Sequence, residues 1–190
     1  MQFGQVVAHD MSLTTFNPQI FSVPIVCCDE NNKPTANASQ HPCIPIWIPK
    51  IDPVHQSDGK RCLNAFRTLM DTELPCVKPN KTANQINGVT SYADLSVVYG
   101  NTVTQAEPLR KRAGGLLVTN EVLEREFPPQ VANVTRVCDM AKSPDEPCFL
   151  TGDVRNNQSP ELALLQVILH RDHNKIARNL KSLNPHWNDE

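Results

Sequence analysis

The first ten residues, Met1 to Asp10, read Met-Gln-Phe-Gly-Gln-Val-Val-Ala-His-Asp. If this stretch is helical, Gln5 and His9 stand four positions apart on one face, whereas Asp10 is turned away by about 100°. One short helix could therefore present a Gln and a His to one site and a carboxylate to another. Taken alone, such a pair is more typical of hydrogen-bonded groups in a core than of a catalytic site, so its meaning depends on the rest of the chain.

A second informative stretch, residues 90–100, reads Thr-Ser-Tyr-Ala-Asp-Leu-Ser-Val-Val-Tyr-Gly. Its polar residues alternate, so an extended or looped backbone can direct several side-chain and carbonyl oxygens toward one point. Calcium requires six to eight such oxygens, with carboxylates among them. A turn rich in small polar residues is the other interpretation of this pattern.

The third stretch, Gly-Asp-Val-Arg-Asn-Asn at residues 152–157, precedes the clearest helix signal in the chain. Ser159 is a favourable N-cap, Pro160 suits the first helical position, and Glu161 complements the helix dipole. An apolar stripe follows at steps of three and four residues, formed by Leu162, Leu165, Leu169, Ile176, Leu180 and Leu183. His173 falls on this stripe and His170 near its edge, and both are predicted to be hydrogen-bonded core residues.

Composition narrows the class of protein. The chain has 190 residues, 39% of them hydrophobic, and a formal net charge of −2, so it is long enough to bury a core. No nucleic-acid partner is expected, because Lys and Arg number 18 against 20 Asp and Glu and form no dense basic run. No stretch predicts a transmembrane helix or a signal peptide.

The cysteines indicate an oxidising compartment. Seven of them lie in irregular, Pro-rich sequence, at positions 27, 28, 43, 62, 76, 138 and 148. Disulfides explain them better than zinc, since no Cys-x-x-Cys occurs. Asn-x-Ser/Thr sequons also predict a secreted glycoprotein, at Asn37, Asn80, Asn133 and Asn157. Asn157 is the doubtful sequon, because Pro160 follows it.

The remaining segments give local predictions. A helix is expected within residues 59–70, through Leu63, Phe66 and Leu69. A short charged helix is expected around residues 104–112, followed by a turn at Gly114 and Gly115 and an extended stretch at 116–118. The basic run at 109–112 is interpreted as a solvated surface, with a cleavage site in a secreted precursor as the alternative.

Taken together, the three stretches resemble the animal haem peroxidases. The resemblance includes the segments at 43–53, 171–177 and 182–187, so it covers essentially the whole chain. It implies a mainly α, haem-peroxidase-like helical domain with long disulfide-linked loops and little β-structure. It also implies an enzyme that reduces hydrogen peroxide and oxidises a donor, which would be a halide, a phenol or a tyrosine side chain.

Catalytic roles follow from the same resemblance. It implies that neutral His9 accepts a proton from peroxide and returns it to the leaving oxygen, that Arg155 stabilises the developing charge, and that Gln5 orders water or a small anion. Gln158 would complete the haem-binding set. Calcium ligands are implied at one helix position and four loop positions, namely Asp10, Thr90, Tyr92 (through its carbonyl), Asp94 and Ser96.

The resemblance also implies disulfide pairs. One of Cys27 and Cys28 should join Cys43, and Cys138 should join Cys148. Cys62 and Cys76 then form a third expected pair, leaving one thiol over.

Three departures from the family pattern modify these expectations. Ala8 and Gln158 stand where many members carry the carboxylates that attach haem covalently, and Ser159 stands where one member has a sulfonium-forming Met, so any haem should be non-covalent. No histidine of this chain is assigned as the proximal ligand. The 190 residues are therefore expected to be the N-terminal portion of a catalytic domain, inactive in isolation. The alternative is a calcium-stabilised, non-catalytic module that binds an extracellular-matrix or cell-surface partner.

Overall fold

The structure is a computed structural model, and it describes residues 2–14, 26–29, 31, 33–35, 43–55, 57–68, 70–71, 84–131 and 146–189. The chain divides into two compact units. The first combines Met1–Leu13 with Val89–Glu190, and the second is Thr14–Gly88. Every catalytic or calcium-binding residue predicted from the sequence lies in the first unit. None of the helices in the described ranges is long and apolar enough to cross a membrane.

Within the described residues, four helices give the first unit its mainly α character, which confirms the predicted fold class. They are α1 (Gln2–Met11), α2 (Ser96–Tyr99), α3 (Val103–Ala106) and α4 (Pro160–Leu183). A 3₁₀ turn, Glu107–Leu109, continues α3. The helix predicted over residues 104–112 is thus shorter than expected, because Pro108 lies in this turn and Arg110 is already extended. Arg110 and Arg112 are exposed, as expected for a solvated basic surface.

The start of α4 confirms the predicted capping. The Ser159 side chain accepts a hydrogen bond from the Leu162 amide at 3.2 Å, and Pro160 occupies the first turn, where no backbone donor is needed. Twenty-four residues then continue as helix. This long helix carries one side of the unit's core.

The buried face of α4 differs from the predicted stripe. Leu162 is fully buried, but Ile176, Leu180 and Leu183 are exposed. The buried face instead runs through Gln166, Val167, His170, Asn174 and Ala177. The prediction was wrong there because a helix buries whichever side meets its neighbours, and polar residues can occupy that side.

The two histidines of α4 have different environments. His173 is hydrogen-bonded through both ring nitrogens, to the Tyr99 hydroxyl at 3.0 Å and to the Gly115 carbonyl at 2.9 Å, as predicted. His170 is only 4% exposed, yet neither of its ring nitrogens has a hydrogen-bond partner among the described residues. His173 is therefore hydrogen-bonded as predicted but only half-buried, and His170 is buried as predicted but has no hydrogen-bond partner among the described residues.

A small apolar core joins these helices. Its members come from α1, α2, the 3₁₀ turn, the extended segment after the glycines, and α4, namely Val6, Val97, Val98, Leu109, Leu117 and Leu162. The predicted turn at Gly114 and Gly115 is present, with both glycines at positive φ. A hairpin of β3 (Asn120–Val122) and β4 (Arg125–Phe127) packs on α4, where the guanidinium of Arg171 lies 4.6 Å from the centre of the Phe127 ring.

The second unit is held by strand pairing and disulfides. β1 (Ile46–Trp47) pairs antiparallel with β2 (Cys62–Leu63), and a further bridge joins Cys43 to Phe66. The helix predicted over residues 59–70 is therefore wrong. Its apolar spacing of about one residue per turn was compatible with a helix, but pairing with residues 43–47 keeps this segment extended.

The disulfides correct part of the predicted pairing. Cys27 joins Cys43, as expected for one of the two adjacent cysteines. Cys28 joins Cys62, so the predicted Cys62–Cys76 pair is wrong; the sequence offered no geometric reason to choose between these partners. Cys148 is disulfide-bonded, but the predicted partner Cys138 lies outside the described residues, as does Cys76.

Candidate functional site

Helix α1 presents two different faces, as its sequence predicted. His9 and Gln5 are partly exposed on one side, whereas Asp10 is only 3% exposed and faces α2. The Gln5 amide donates to the Gln158 side chain at 3.3 Å. The structure therefore brings together Gln5, His9 and the segment before α4.

Arg155 links this segment to the C-terminal end of α1. Its guanidinium donates to the His9 carbonyl at 2.8 Å and to the Ser12 carbonyl at 2.9 Å. It also makes a bidentate ion pair with the buried carboxylate of Asp153. A cation at this position is favourable because the carbonyls that end a helix carry partial negative charge.

These contacts commit four of the five N–H groups that a guanidinium carries, leaving one on Nη1. Arg155 thus anchors the C-terminal end of α1 and keeps one N–H group without a partner among the described residues. Asp153 positions it and also caps its backbone, accepting from the Arg155 amide at 2.7 Å. The importance of Asp153 was missed from the sequence, although its place two residues before the predicted catalytic arginine was the available signal.

The electrostatics around His9 favour a neutral imidazole. Burial lowers the pKa of His9, the neighbouring Arg155 cation lowers it further, and Asp153 partly offsets these effects. The ring nitrogens accept or donate no hydrogen bond within the part of the chain that the structure describes; only the His9 backbone carbonyl is bound, by Arg155. A neutral, uncommitted imidazole is the form that a general base needs near pH 7.

The positions that would carry covalent haem links are on the surface. Ala8 and Gln158 are both exposed, and neither side chain can form an ester. Asn157, the doubtful sequon, uses its side-chain amide in two hydrogen bonds to the backbone of Phe149, at 3.0 and 2.9 Å. These bonds would have to break for glycosylation, and the other three sequons lie outside the described residues.

The predicted calcium residues also lie together. The Asp10 carboxylate accepts from the Leu95 amide at 2.9 Å, the Ser96 hydroxyl at 3.1 Å and the Val97 amide at 3.3 Å. Asp94 accepts from the Ser96 amide at 3.1 Å. One carboxylate of α1 therefore fixes the loop and the first turn of α2.

The rest of the loop adds oxygens nearby. The Thr90 hydroxyl lies 3.5 Å from the Tyr92 carbonyl, and hydrogen bonds from Thr90 and Ser96 lower the pKa of Asp94. Within the described ranges there is no group of three or more His, Cys, Asp or Glu residues that could hold a metal. A cation here would thus depend on two carboxylates, supplemented by hydroxyl and carbonyl oxygens.

Two backbone features hold the loop and the arginine segment together. Leu95 adopts a left-handed conformation, with φ of 59°, which is uncommon for a non-glycine residue and is typical of constrained functional loops. Gly152 packs so closely that a Cβ atom would overlap backbone atoms of Ser96 and Gly100. Only glycine allows this approach, and its steric role was not recognised from the sequence.

Comparison with known proteins agrees with this arrangement. The chain matches the animal haem peroxidase family over residues 1–190. It is 41% identical over 190 residues to a peroxidase of Drosophila melanogaster, covering all of this chain and 27% of that protein. It is 36% identical over 199 residues to eosinophil peroxidase of Mus musculus, covering all of this chain and 26% of the relative.

Solved structures give the same result. Peroxidase A from Dictyostelium discoideum superposes with a TM-score of 0.66 at 28% identity, covering 99% of this chain and 34% of the other. In fold and in sequence the chain is similar to these peroxidases over essentially its whole length. It belongs to the animal haem peroxidase family, and it spans about a quarter of the length of the curated relatives it matches.

Proposed function

We propose that this protein is a haem-dependent peroxidase that reduces hydrogen peroxide and oxidises a halide, a phenol or a tyrosyl side chain, with His9 as the general base. The observation that carries this proposal is the direct hydrogen bond from the Arg155 guanidinium to the carbonyl of His9. It fixes a permanent cation beside an imidazole whose pKa is lowered. These are the two kinds of group that heterolysis of a peroxide requires.

The protein's own part in the reaction follows from these positions. Bound haem would supply the iron that binds peroxide and the electrons that cleave its O–O bond. Neutral His9 accepts the proton from one peroxide oxygen and delivers it to the other as that oxygen leaves. The uncommitted N–H of Arg155 stabilises negative charge on the leaving oxygen. Gln5, linked to Gln158, orders water or a small anion beside them.

The residues present fit a non-covalently bound haem. The backbone of His9 is fixed by Arg155, and neither ring nitrogen has a hydrogen-bond partner among the described residues, which leaves the imidazole available as a base. Ala8 and Gln158 provide no carboxylate, so no ester bond to the haem is expected. Extraction of the native protein with acidic organic solvent should therefore move all haem absorbance into the solvent.

The decisive experiment compares the native protein with its His9→Ala variant. Loss of a positioned general base should reduce peroxide-dependent donor oxidation by about 10²- to 10⁴-fold, while the haem content measured by absorbance stays the same. His186→Ala is the matched control, since His186 is an exposed histidine. Equal activity of His9→Ala and the native protein at equal haem content would contradict the proposal.

We also propose calcium at Asp10, Thr90, Tyr92, Asp94 and Ser96. Its support is that the Asp10 carboxylate of α1 bonds to Leu95, Ser96 and Val97, directly beside the Asp94 carboxylate. Carboxylate, hydroxyl and carbonyl oxygens are the ligands that calcium prefers. Calcium chloride should raise the unfolding midpoint of the native protein, since a ligand that binds only the folded state stabilises it. Asp94→Asn should lose most of this shift and Asp58→Asn, a change at an exposed carboxylate of the second unit, should retain it. An identical shift in both variants would contradict the site.

We also propose that the protein is secreted, that residues 1–190 are part of a larger catalytic domain, and that they are inactive in isolation. The Cys27–Cys43 and Cys28–Cys62 disulfides, together with the disulfide-bonded Cys148, support secretion, because such bonds persist in oxidising compartments. The share of the relatives that is covered supports the interpretation of residues 1–190 as part of a larger catalytic domain, inactive in isolation. Absence of haem from native protein that is folded and binds calcium would instead favour the non-catalytic binding module.

A further inference from the structure

Tyr99 and His173 form a hydrogen-bonded pair that the proposed peroxide chemistry does not use. The Tyr99 hydroxyl lies 3.0 Å from Nδ1 of His173, and Nε2 of the same ring lies 2.9 Å from the Gly115 carbonyl. A carbonyl only accepts hydrogen bonds, so Nε2 carries the hydrogen. In the neutral ring Nδ1 is then a free lone pair, and the phenol donates its proton to it.

The surroundings keep this phenol protonated. Tyr99 is half-buried; burial raises its pKa, and the negative charge of Asp172 raises it further. Phenolate is therefore scarce at neutral pH. A phenol in this state can lose an electron readily only if its proton leaves at the same time, and His173 is positioned to accept that proton.

We propose that Tyr99 is a redox-active tyrosine whose proton acceptor is His173. In this step a one-electron oxidant takes one electron from the phenol, the O–H bond breaks, and its proton forms an N–H bond at Nδ1 of His173. The products are a neutral tyrosyl radical, an imidazolium that still donates to Gly115, and an oxidant reduced by one electron. The physiological oxidant would be peroxide-oxidised haem, so the biological role rests on the proposed function.

The location of the pair suits this role. Tyr99 lies three residues after Ser96, whose hydroxyl bonds to Asp10, and Asp10 is the neighbour of His9. A continuous path of covalent and hydrogen bonds thus joins Tyr99 to the proposed peroxide site. Two cavities, of about 280 and 360 Å³, are both lined by Tyr99 and His173, and both residues are half-buried, so an oxidant at the protein surface can come close to the pair.

This accessibility allows a test that needs no haem. A flash-generated ruthenium(III) tris-bipyridine oxidant is applied to the protein, and tyrosyl radical is followed by transient absorption and by electron paramagnetic resonance after freezing. The protein has two tyrosines, Tyr92 and Tyr99. Tyr99→Phe should lose most of the radical signal, although Tyr92, which this variant keeps, is 75% exposed.

The role of His173 is tested separately. His173→Gln keeps a hydrogen-bonding side chain but removes the base, and oxidation of Tyr99 should slow by about a hundredfold, the lower end of what a positioned proton acceptor contributes. His186→Gln is the control and should oxidise at the native rate. Circular dichroism checks that each variant is folded. The native protein should also react more slowly in D₂O, which tests proton coupling without any substitution.

Three results would overturn the inference: a full radical signal in Tyr99→Phe, a native rate in His173→Gln, or no slowing in D₂O. These outcomes do not depend on haem. A negative result with His9→Ala under peroxide would instead contradict the proposed function and leave the photochemical result unaffected, so the two failures are distinguishable.

Discussion

Two buried polar clusters in the first unit differ in how completely they are satisfied. The aspartate cluster is Asp10 with Leu95, Ser96 and Val97, and three donors reach its carboxylate. The helix cluster is Gln166 and His170 of α4, where the Gln166 carbonyl oxygen and both His170 ring nitrogens have no partner among the described residues. Apart from the half-buried Leu95, the residues of both clusters are almost fully buried.

The difference separates two uses of buried polarity. The aspartate cluster stabilises its unit because each donor that loses its contact with water on folding gains the Asp10 carboxylate as an acceptor. The helix cluster costs stability, since desolvated polar atoms are left without compensation. We expect truncation to be damaging in the first cluster and neutral or favourable in the second, and the following predictions are arranged to test that contrast.

Asp10→Ala should produce the largest effect. It leaves two amides and one hydroxyl without their acceptor, and orphaned buried donors cost at least about 1 kcal/mol each, so the free energy of unfolding should fall by about 3 kcal/mol or more. Urea denaturation in the presence of EDTA measures this change without any contribution from calcium.

The matched control is Asp94→Ala. Its carboxylate is exposed and accepts hydrogen bonds from Thr90 and Ser96 of its own loop, so its loss should cost much less than the loss of Asp10. If the two variants were equally stable, the hydrogen bonds of the aspartate cluster would contribute nothing beyond those of a surface carboxylate, and the contrast would fail.

Acidification should weaken the protein through His170. Burial lowers the pKa of His170 to about 4, with smaller lowering by His173 and Arg171 and an opposing effect of Glu126. His170 binds a proton near pH 6.5 in the unfolded chain but only near pH 4 in the folded protein. The stability that depends on neutral His170 is therefore complete above about pH 7 and is lost as the pH falls from 6.5 to 4. The loss should reach about 3 kcal/mol, since one pKa unit corresponds to about 1.4 kcal/mol.

Unfolding free energies measured across that pH range check this prediction. His170→Leu should flatten the pH profile, because leucine binds no proton. The variant should fold, since the His170 ring lines a small cavity with Leu109, Leu117 and Leu150 that an apolar side chain suits. His186→Gln, at an exposed site, should keep the native slope. A native slope in His170→Leu would assign the acid sensitivity to other groups, such as His9.

The aspartate cluster was predictable and the helix cluster was not, for a physical reason. Asp10, Asp94 and Ser96 are polar residues in short local patterns, and the resemblance to haem peroxidases joined these patterns across the chain. The same holds for Gln5, His9 and Arg155, which the structure brings together. The family and the mainly α fold were likewise recognised from the sequence.

Sequence patterns failed where tertiary packing decides the outcome. The apolar stripe of α4 predicted burial of Ile176 and Leu180, but neighbouring elements cover the side that carries Gln166 and His170. In the second unit, strand pairing and the Cys28–Cys62 disulfide replaced a predicted helix. The steric role of Gly152 was equally hidden, since the backbone it touches is about fifty residues away in sequence.

Gln166→Met should give the smallest and most diagnostic effect. Gln166 is 2% exposed, and its carbonyl oxygen is unpartnered within the described residues, so an unbranched apolar side chain of similar size removes a desolvation cost and should raise stability by about 1 kcal/mol.

Asn174→Leu on the same helix face is the control. The Asn174 side chain accepts a hydrogen bond from the Leu117 amide at 2.8 Å and donates one to the Leu117 carbonyl at 3.3 Å. Removal of this side chain should therefore lower the free energy of unfolding by about 2 kcal/mol. Changes of opposite sign in the free energy of unfolding, at two equally buried side-chain amides, would show that the clusters differ in hydrogen bonding and not in burial. A loss of stability in both variants would mean that Gln166 makes a contribution that its unpartnered oxygen does not suggest.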